Sequence, residues 1–178
     1  MTASAVLTTA FAQQRERPGA DLVASAPDLV AAAAALARRF RAGGVLHAFG
    51  DDTADAHHIA VEFVHPVIVG KRALPAVAHD APRAAHLLRH AAAPQDIALA
   101  VCVRPGGAVR DALRAAAERG LLTIALTGPA PGASGVDHLL AMPADDPLVV
   151  RELHVTAYHL LWELTHVLLE RGPEERLP

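Results

Sequence analysis

One cysteine in 178 residues, Cys102, leaves no partner for an internal disulfide, which fits a reducing cytoplasm better than a secreted scaffold. It lies inside an apolar run, where it reads as a small buried hydrophobe. Blocks of positive charge are also missing. The 16 Lys and Arg stand against 19 Asp and Glu for a formal charge of -3, so the electrostatic footprint of a nucleic-acid binder is absent. No apolar run reaches membrane-spanning length, and the stretch Ala31 to Leu36 is cut by Arg38 and Arg39. The N-terminus has neither the basic start nor the continuous apolar segment of a secretory signal. There is no internal repeat. These absences point to a soluble, cytoplasmic protein that touches neither nucleic acid nor membrane directly.

Apolar material is abundant: 52% of the residues are hydrophobic, enough for one domain with a substantial core. Residues 4–16 and 27–42 read as alanine-rich helices that pack within the same domain or in an oligomer. The second opens at Pro27-Asp28, with a carboxylate at the positive helix end, and stops at Gly43-Gly44. Short apolar runs then alternate with helical segments. Strands are expected over 44–49, 74–78, 96–103, 121–126 and 137–141, and helices over 53–65, 82–92, 107–119 and 147–170. That alternation argues for a doubly wound α/β fold over residues 43–171, a parallel sheet covered on both faces, followed by a polar tail at 172–178.

Chemistry-bearing residues gather at three places. After the strand Val45 to Gly50 comes the turn Asp51-Asp52-Thr53, then a helix carrying His58 and Glu62 four positions apart on one face. Such a pair suits two metal ligands, a base held by its partner, or a solvated pair that stabilises the helix. Its place after a strand end, where open parallel sheets bind ligands, favours function. Gly106-Gly107, after Val101 to Pro105, form a turn whose free N–H groups can hold an anion with Arg104 adding charge, or serve as a turn alone. The last helix carries Arg151, Glu152, His154, Tyr158, His159, Trp162, Glu163 and His166, a heavy polar load. Arg151 and His159 fall near one face, and His154 faces away from His159. His154 and His166 read as partly buried histidines at a subunit contact.

Three stretches resemble the sugar isomerase (SIS) domain family, in particular its phosphoheptose isomerase branch: Phe49-Gly50 leading into Ala54 to Glu62, Arg72 to Ala78, and Thr123 to Gly128. The closing helix from Arg151 to His159 is similar to the family's final helix. The resemblance implies a flavodoxin-like, five-stranded parallel sheet and an aldose-ketose isomerisation of sedoheptulose 7-phosphate through an enediol. By position, Glu62 and His159 match the family's acid-base pair, and His58, Glu62 and His159 match three ligands of its zinc-binding members. A phosphorylated sugar or related polar ligand would meet Asp52, Thr53, Arg104, Gly106, Gly107 and Arg151. Homo-dimers or homo-tetramers with sites at the subunit boundary are implied as well.

The sequence departs from the family at three sites, the first being Asp51-Asp52-Thr53, shorter than the family's glycine- and serine-rich turn and acidic near where a phosphate would lie. Arg151 stands where the family places a glutamine; guanidinium has no lone pair and repels a cation, which argues against an unmodified zinc site. It is left to pair with Glu62 or to grip a substrate anion. The segment Val101 to Gly106 carries no hydroxyl where the family's second phosphate turn is rich in Ser and Thr. Each charge-assisted bond so lost is worth about 1.5–3 kcal/mol. Two functional classes follow: a phosphoheptose-isomerase-like enzyme, and a non-catalytic SIS module acting as scaffold, regulator or accessory protein. A metal-binding role for the 11 histidines is a third, opposed by their scatter, since only His58, Glu62 and His159 have a reason to converge.

Overall fold

The computed structural model describes residues 22–170 except 67, 69 and 130–132. The helix expected over 4–16 and the tail at 172–178 lie outside the described residues. Helix α1 (Ala26–Arg41) precedes β1 (Leu46–Gly50), α2 (Thr53–Val64), β2 (Ala76–Ala78), α3 (Ala81–His90), β3 (Ile97–Val101), α4 (Gly107–Glu118), β4 (Leu122–Thr127), β5 (His138–Ala141) and α5 (Pro147–Glu170). Every adjacent strand pair is parallel, and the order is β2-β1-β3-β4-β5. This is the doubly wound, flavodoxin-like arrangement, with its topological switch between β1 and β3.

The strands bury both faces, as a covered parallel sheet must. Leu46, Ala48, Leu99, Val101, Ile124 and Leu126 pack on one side with α1, α2 and α5. Phe49, Ala98, Ala100 and Ala125 pack on the other with α3 and α4. On the first side Phe40 and Phe63 stack at 5.8 Å, tying α1 to α2. The alanines of α1 let it lie close against α5, so this helix is an integral layer of the core.

Two strands, β2 and β3, are shorter than the sequence suggests by more than one residue, each for a local reason. Pro75 has no N–H to give the ladder; its carbonyl accepts from Leu46 N at 2.9 Å, and pairing proper starts at Ala76. Val101 is the last β3 residue flanked on both sides, because β1 ends at its partner Gly50. A Cβ at Gly50 would stand 1.9 Å from the Val101 carbonyl oxygen, so only glycine lets β1 leave the sheet at this point. The chain after Gly50 thereby enters the crevice at the switch.

Candidate active site

Three helix starts converge beyond the carboxyl ends of β1, β2 and β3, enclosing a cleft of about 470 Å³. Gly50, Asp51, Thr53, Asp80, Gly106 and Gly107 are among its lining residues. Asp52 caps α2, its Oδ1 accepting from Ala54 N at 2.9 Å. Thr53 Oγ1 donates to Asp80 Oδ1 at 3.2 Å across the cleft floor. The positive ends of α2, α3 and α4 thus face one space.

Part of that anion-binding capacity is already used within the chain. The Asp51 carboxylate lies toward the backbone of Arg104 and Val103, in the loop after β3. Burial raises the Asp51 pKa, and the polarity of those two backbone groups pulls it down in part. Cys102, in the same loop, is buried, and burial followed by the Asp51 charge pushes its thiol up to about 12. It is an inert packing residue, as its apolar surroundings suggest.

A second cluster lies on α2 and α5. Glu62 Oε1 is 3.3 Å from His58 Nε2 and 3.6 Å from His159 Nε2. Spacing on α2 sets the first pair, and the packing of α5 against α2 brings His159 to the same oxygen. The Glu62 side chain is only 14% exposed, while those of His58 and His159 are 44% and 41% exposed, so a sheltered carboxylate sits behind two accessible imidazoles. One donor atom from each lies within 4.8 Å of the others, the only such group of three among the described residues. Tyr158, buried beside them, brings its hydroxyl to 2.6 Å from His58 Nδ1.

Arg151 takes neither of the partners the sequence offered. Its Nε and Nη2 grip Asp55 at 3.1 and 3.0 Å, and Nη2 reaches Asp52 Oδ2 at 2.8 Å. The Asp55 hydrogen bond, then its charge, raises the arginine's pKa further. The clasp ties the second turn of α5 to the first turn of α2 and leaves Glu62 to the histidines. The cationic group that argued against a metal is therefore held by two carboxylates.

The structure thus sorts the candidates into two groups. His58, Glu62 and His159 come together on α2 and α5; Thr53, Gly106 and Gly107 share the cleft; Arg104 is exposed at the loop edge, its backbone toward Asp51. Asp52 serves as helix cap and Arg151 partner. Asp51, Asp55 and Tyr158 carry more of the local electrostatics than the sequence assigned to them. Asp55 had a signal, since it follows Asp52 by three helical positions on one face.

His154 and His166 are buried within the protomer rather than left half-covered for a partner. Burial lowers the pKa of each, the Thr127 backbone pulling the other way at His154. In the unfolded chain they titrate near pH 6.5. The folded state then holds fewer protons below that pH, so stability is complete above it and lost as pH falls toward the depressed pKa values. Urea midpoints at pH 7.5 and 5.5 should show the protein weaker at 5.5, each histidine adding at most about 1.4 kcal/mol per pH unit. Replacing His166 with phenylalanine should narrow the difference; an unchanged gap would remove His166 from the account.

No protein-family model matches the sequence. A phosphoheptose isomerase from Roseiflexus sp. (strain RS-1) is 30% identical over 160 residues, spanning 78% of this chain and 81% of the relative. The chain belongs to the phosphoheptose isomerase branch of the SIS family. A second member, from Halorhodospira halophila, is 29% identical over 171 residues, covering 83% of this chain and 86% of its own. Among solved structures, the family's fold is matched by the phosphoheptose isomerase from Neisseria gonorrhoeae, with a TM-score of 0.82 at 22% identity over 92% of this chain and 98% of that one.

Proposed function

We propose that this protein binds a phosphorylated sugar at the switch-point cleft and interconverts its aldose and ketose forms through an enediol. The observation that carries the reading is the sheltered Glu62 carboxylate held between two accessible histidines. Ionised Glu62 takes the proton from the carbon next to the carbonyl, and His159 gives a proton to the carbonyl oxygen, yielding the enediol. The neighbouring hydroxyl then loses its proton and the former carbonyl carbon gains one. Atoms and electrons balance without oxidant or co-reactant. Glu62 lies nine positions after Thr53 on α2, about 13 Å along the axis, so an extended sugar phosphate can have its reacting end at the histidines and its tail toward the cleft.

Zinc fits the His58, Glu62 and His159 donor set, because Arg151 is drawn off by Asp52 and Asp55. Bound there, it would supply Lewis-acid polarisation of the sugar carbonyl. The exposure of both imidazoles on one protomer supports a working homo-dimer or homo-tetramer whose second copy closes the site. The setting is the cytoplasm.

The non-catalytic module keeps one specific argument, the Asp51 carboxylate set toward the loop's backbone. The relatives' isomerase names and the intact cluster favour the enzyme. Calorimetric titration with sedoheptulose 7-phosphate, followed by an isomerisation assay on the same sample, separates the two. Binding with turnover is expected, together with weak binding of inorganic phosphate alone. A folded sample that neither binds nor converts the sugar phosphate would overturn the proposal.

A further inference from the structure

Asp96, just before β3, is 5% exposed and takes no part in the active site. Two backbone amides hold its carboxylate: Val45 N–H donates to Oδ1 at 2.8 Å and Ala93 N–H to Oδ2 at 2.7 Å. His47 of β1 supplies a third hydrogen bond, its Nε2 lying 3.4 Å from Oδ2. A carboxylate can only accept, so this nitrogen carries the proton, and neutral His47 keeps its lone pair on Nδ1. His79 Nε2 stands 2.8 Å from Nδ1 and donates to it. Burial, then the charge of His47, lowers the His79 pKa against the pull of Asp80, which keeps His79 neutral above its usual titration range. A directed chain of hydrogen bonds therefore runs from the end of β2, across β1, to a carboxylate fixed in the interior.

The outer end of this chain lies where the cleft begins. His79 is followed directly by Asp80, which lines the cleft and whose Oδ1 accepts from Thr53 Oγ1 at 3.2 Å. The Asp80 side chain is not spent on capping α3, so it is set by this bond and by the backbone that carries it. β2 gives that backbone little support: it is an edge strand of three residues, and beyond its last pair, Ala48 with Ala78, the ladder adds His79 N–H to Ala48 O at 2.9 Å. We propose that His79 is a positioning residue: moored through His47 to Asp96, it holds the Asp80–Thr53 wall of the cleft in the shape that receives the sugar phosphate. The proposal rests on the reading of this cleft as the sugar-phosphate site. His79 acts through Asp80 and touches no reacting atom. Without its imidazole the corner after β2 is free to shift, and the wall loosens with it.

The test compares two variants. His79→Ala removes the mooring at a half-buried position, while His79→Gln keeps an amide N–H that reaches His47 Nδ1 from a side chain of similar length. At about pH 8 the alanine variant should raise KM for sedoheptulose 7-phosphate about fivefold, with kcat within about twofold. The glutamine variant should bring KM back to within about twofold of wild type. His79→Asn, too short to reach His47, should match the alanine variant and replaces it if alanine folds poorly. The amide ¹H–¹⁵N signal of Thr53, on another element, should move in the alanine variant and return in the glutamine one. A side chain that merely filled space would change thermal stability and leave KM and the Thr53 signal alone. An unchanged KM or an unmoved Thr53 signal in His79→Ala overturns the proposal, as does a glutamine variant no better than alanine. If the wild type turns over no sugar phosphate, the isomerase reading fails by that assay, while the Thr53 signal still decides whether His79 holds the cleft wall.

Discussion

Glu62→Gln is expected to lower isomerase turnover on the order of 10³-fold while leaving KM and the fold close to wild type. The amide has the shape of the carboxylate and can still offer a carbonyl oxygen to His58 and His159, so the cluster keeps its geometry. What it loses is proton affinity, the property that carbon deprotonation requires. The lost ion-pair attraction matters little for stability, because both partner imidazoles are exposed to solvent screening. His159→Ala should cost on the order of 10²-fold, since water can enter and serve the sugar oxygen in its place. The double variant should be scarcely worse than Glu62→Gln, as the two groups act on one reaction coordinate. Activity of Glu62→Gln within tenfold of wild type would remove Glu62 as the base.

The pair on α2 was legible from spacing alone, because four residues along a helix return to one face. His159 was not: its convergence on Glu62 depends on how α5 lies against α2, and only the family resemblance supplied it. The order of strands and helices was readable from alternating apolar runs, with misjudged strand ends at Pro75 and beyond Val101. Those ends depend on what each neighbouring strand offers as a partner, which no single run contains. Arg151 shows the same limit more sharply. The sequence offered Glu62 or a substrate anion, yet the stagger of the two helices sets the arginine beside the first turn of α2. Asp52 and Asp55 are there, while Glu62 lies two turns further along. Tyr158 was visible as a residue, but the imidazole of His58 that it meets across the helix pair was not.

The second large effect concerns the anion site: Asp51→Ser is expected to tighten binding of inorganic phosphate and of sugar phosphates by about 10–100-fold. The segment Val101 to Gly106 carries no hydroxyl, and the backbone of Val103 and Arg104 lies toward the Asp51 carboxylate, where its polarity lowers the carboxylate's pKa in part. A phosphate entering the cleft must compete for that backbone and also lie near a like charge. At an effective dielectric constant of about 20 and a separation of about 5 Å that repulsion is about 3 kcal/mol, and the solvent exposure of Asp51 reduces it. Serine frees that backbone, removes the charge, and returns one hydroxyl to the site. Stability should not suffer. The raised pKa of Asp51 means that folding disfavours its ionised form, so its contribution to stability falls as pH rises through that pKa and its removal is neutral or favourable at pH 7. Calorimetry with inorganic phosphate and with sedoheptulose 7-phosphate reads the effect directly. A gain for both ligands would identify Asp51 as an internal anion occupying the inherited phosphate position. A gain for neither would mean that the phosphate lies elsewhere, with Arg104 and the start of α4 the next residues to replace.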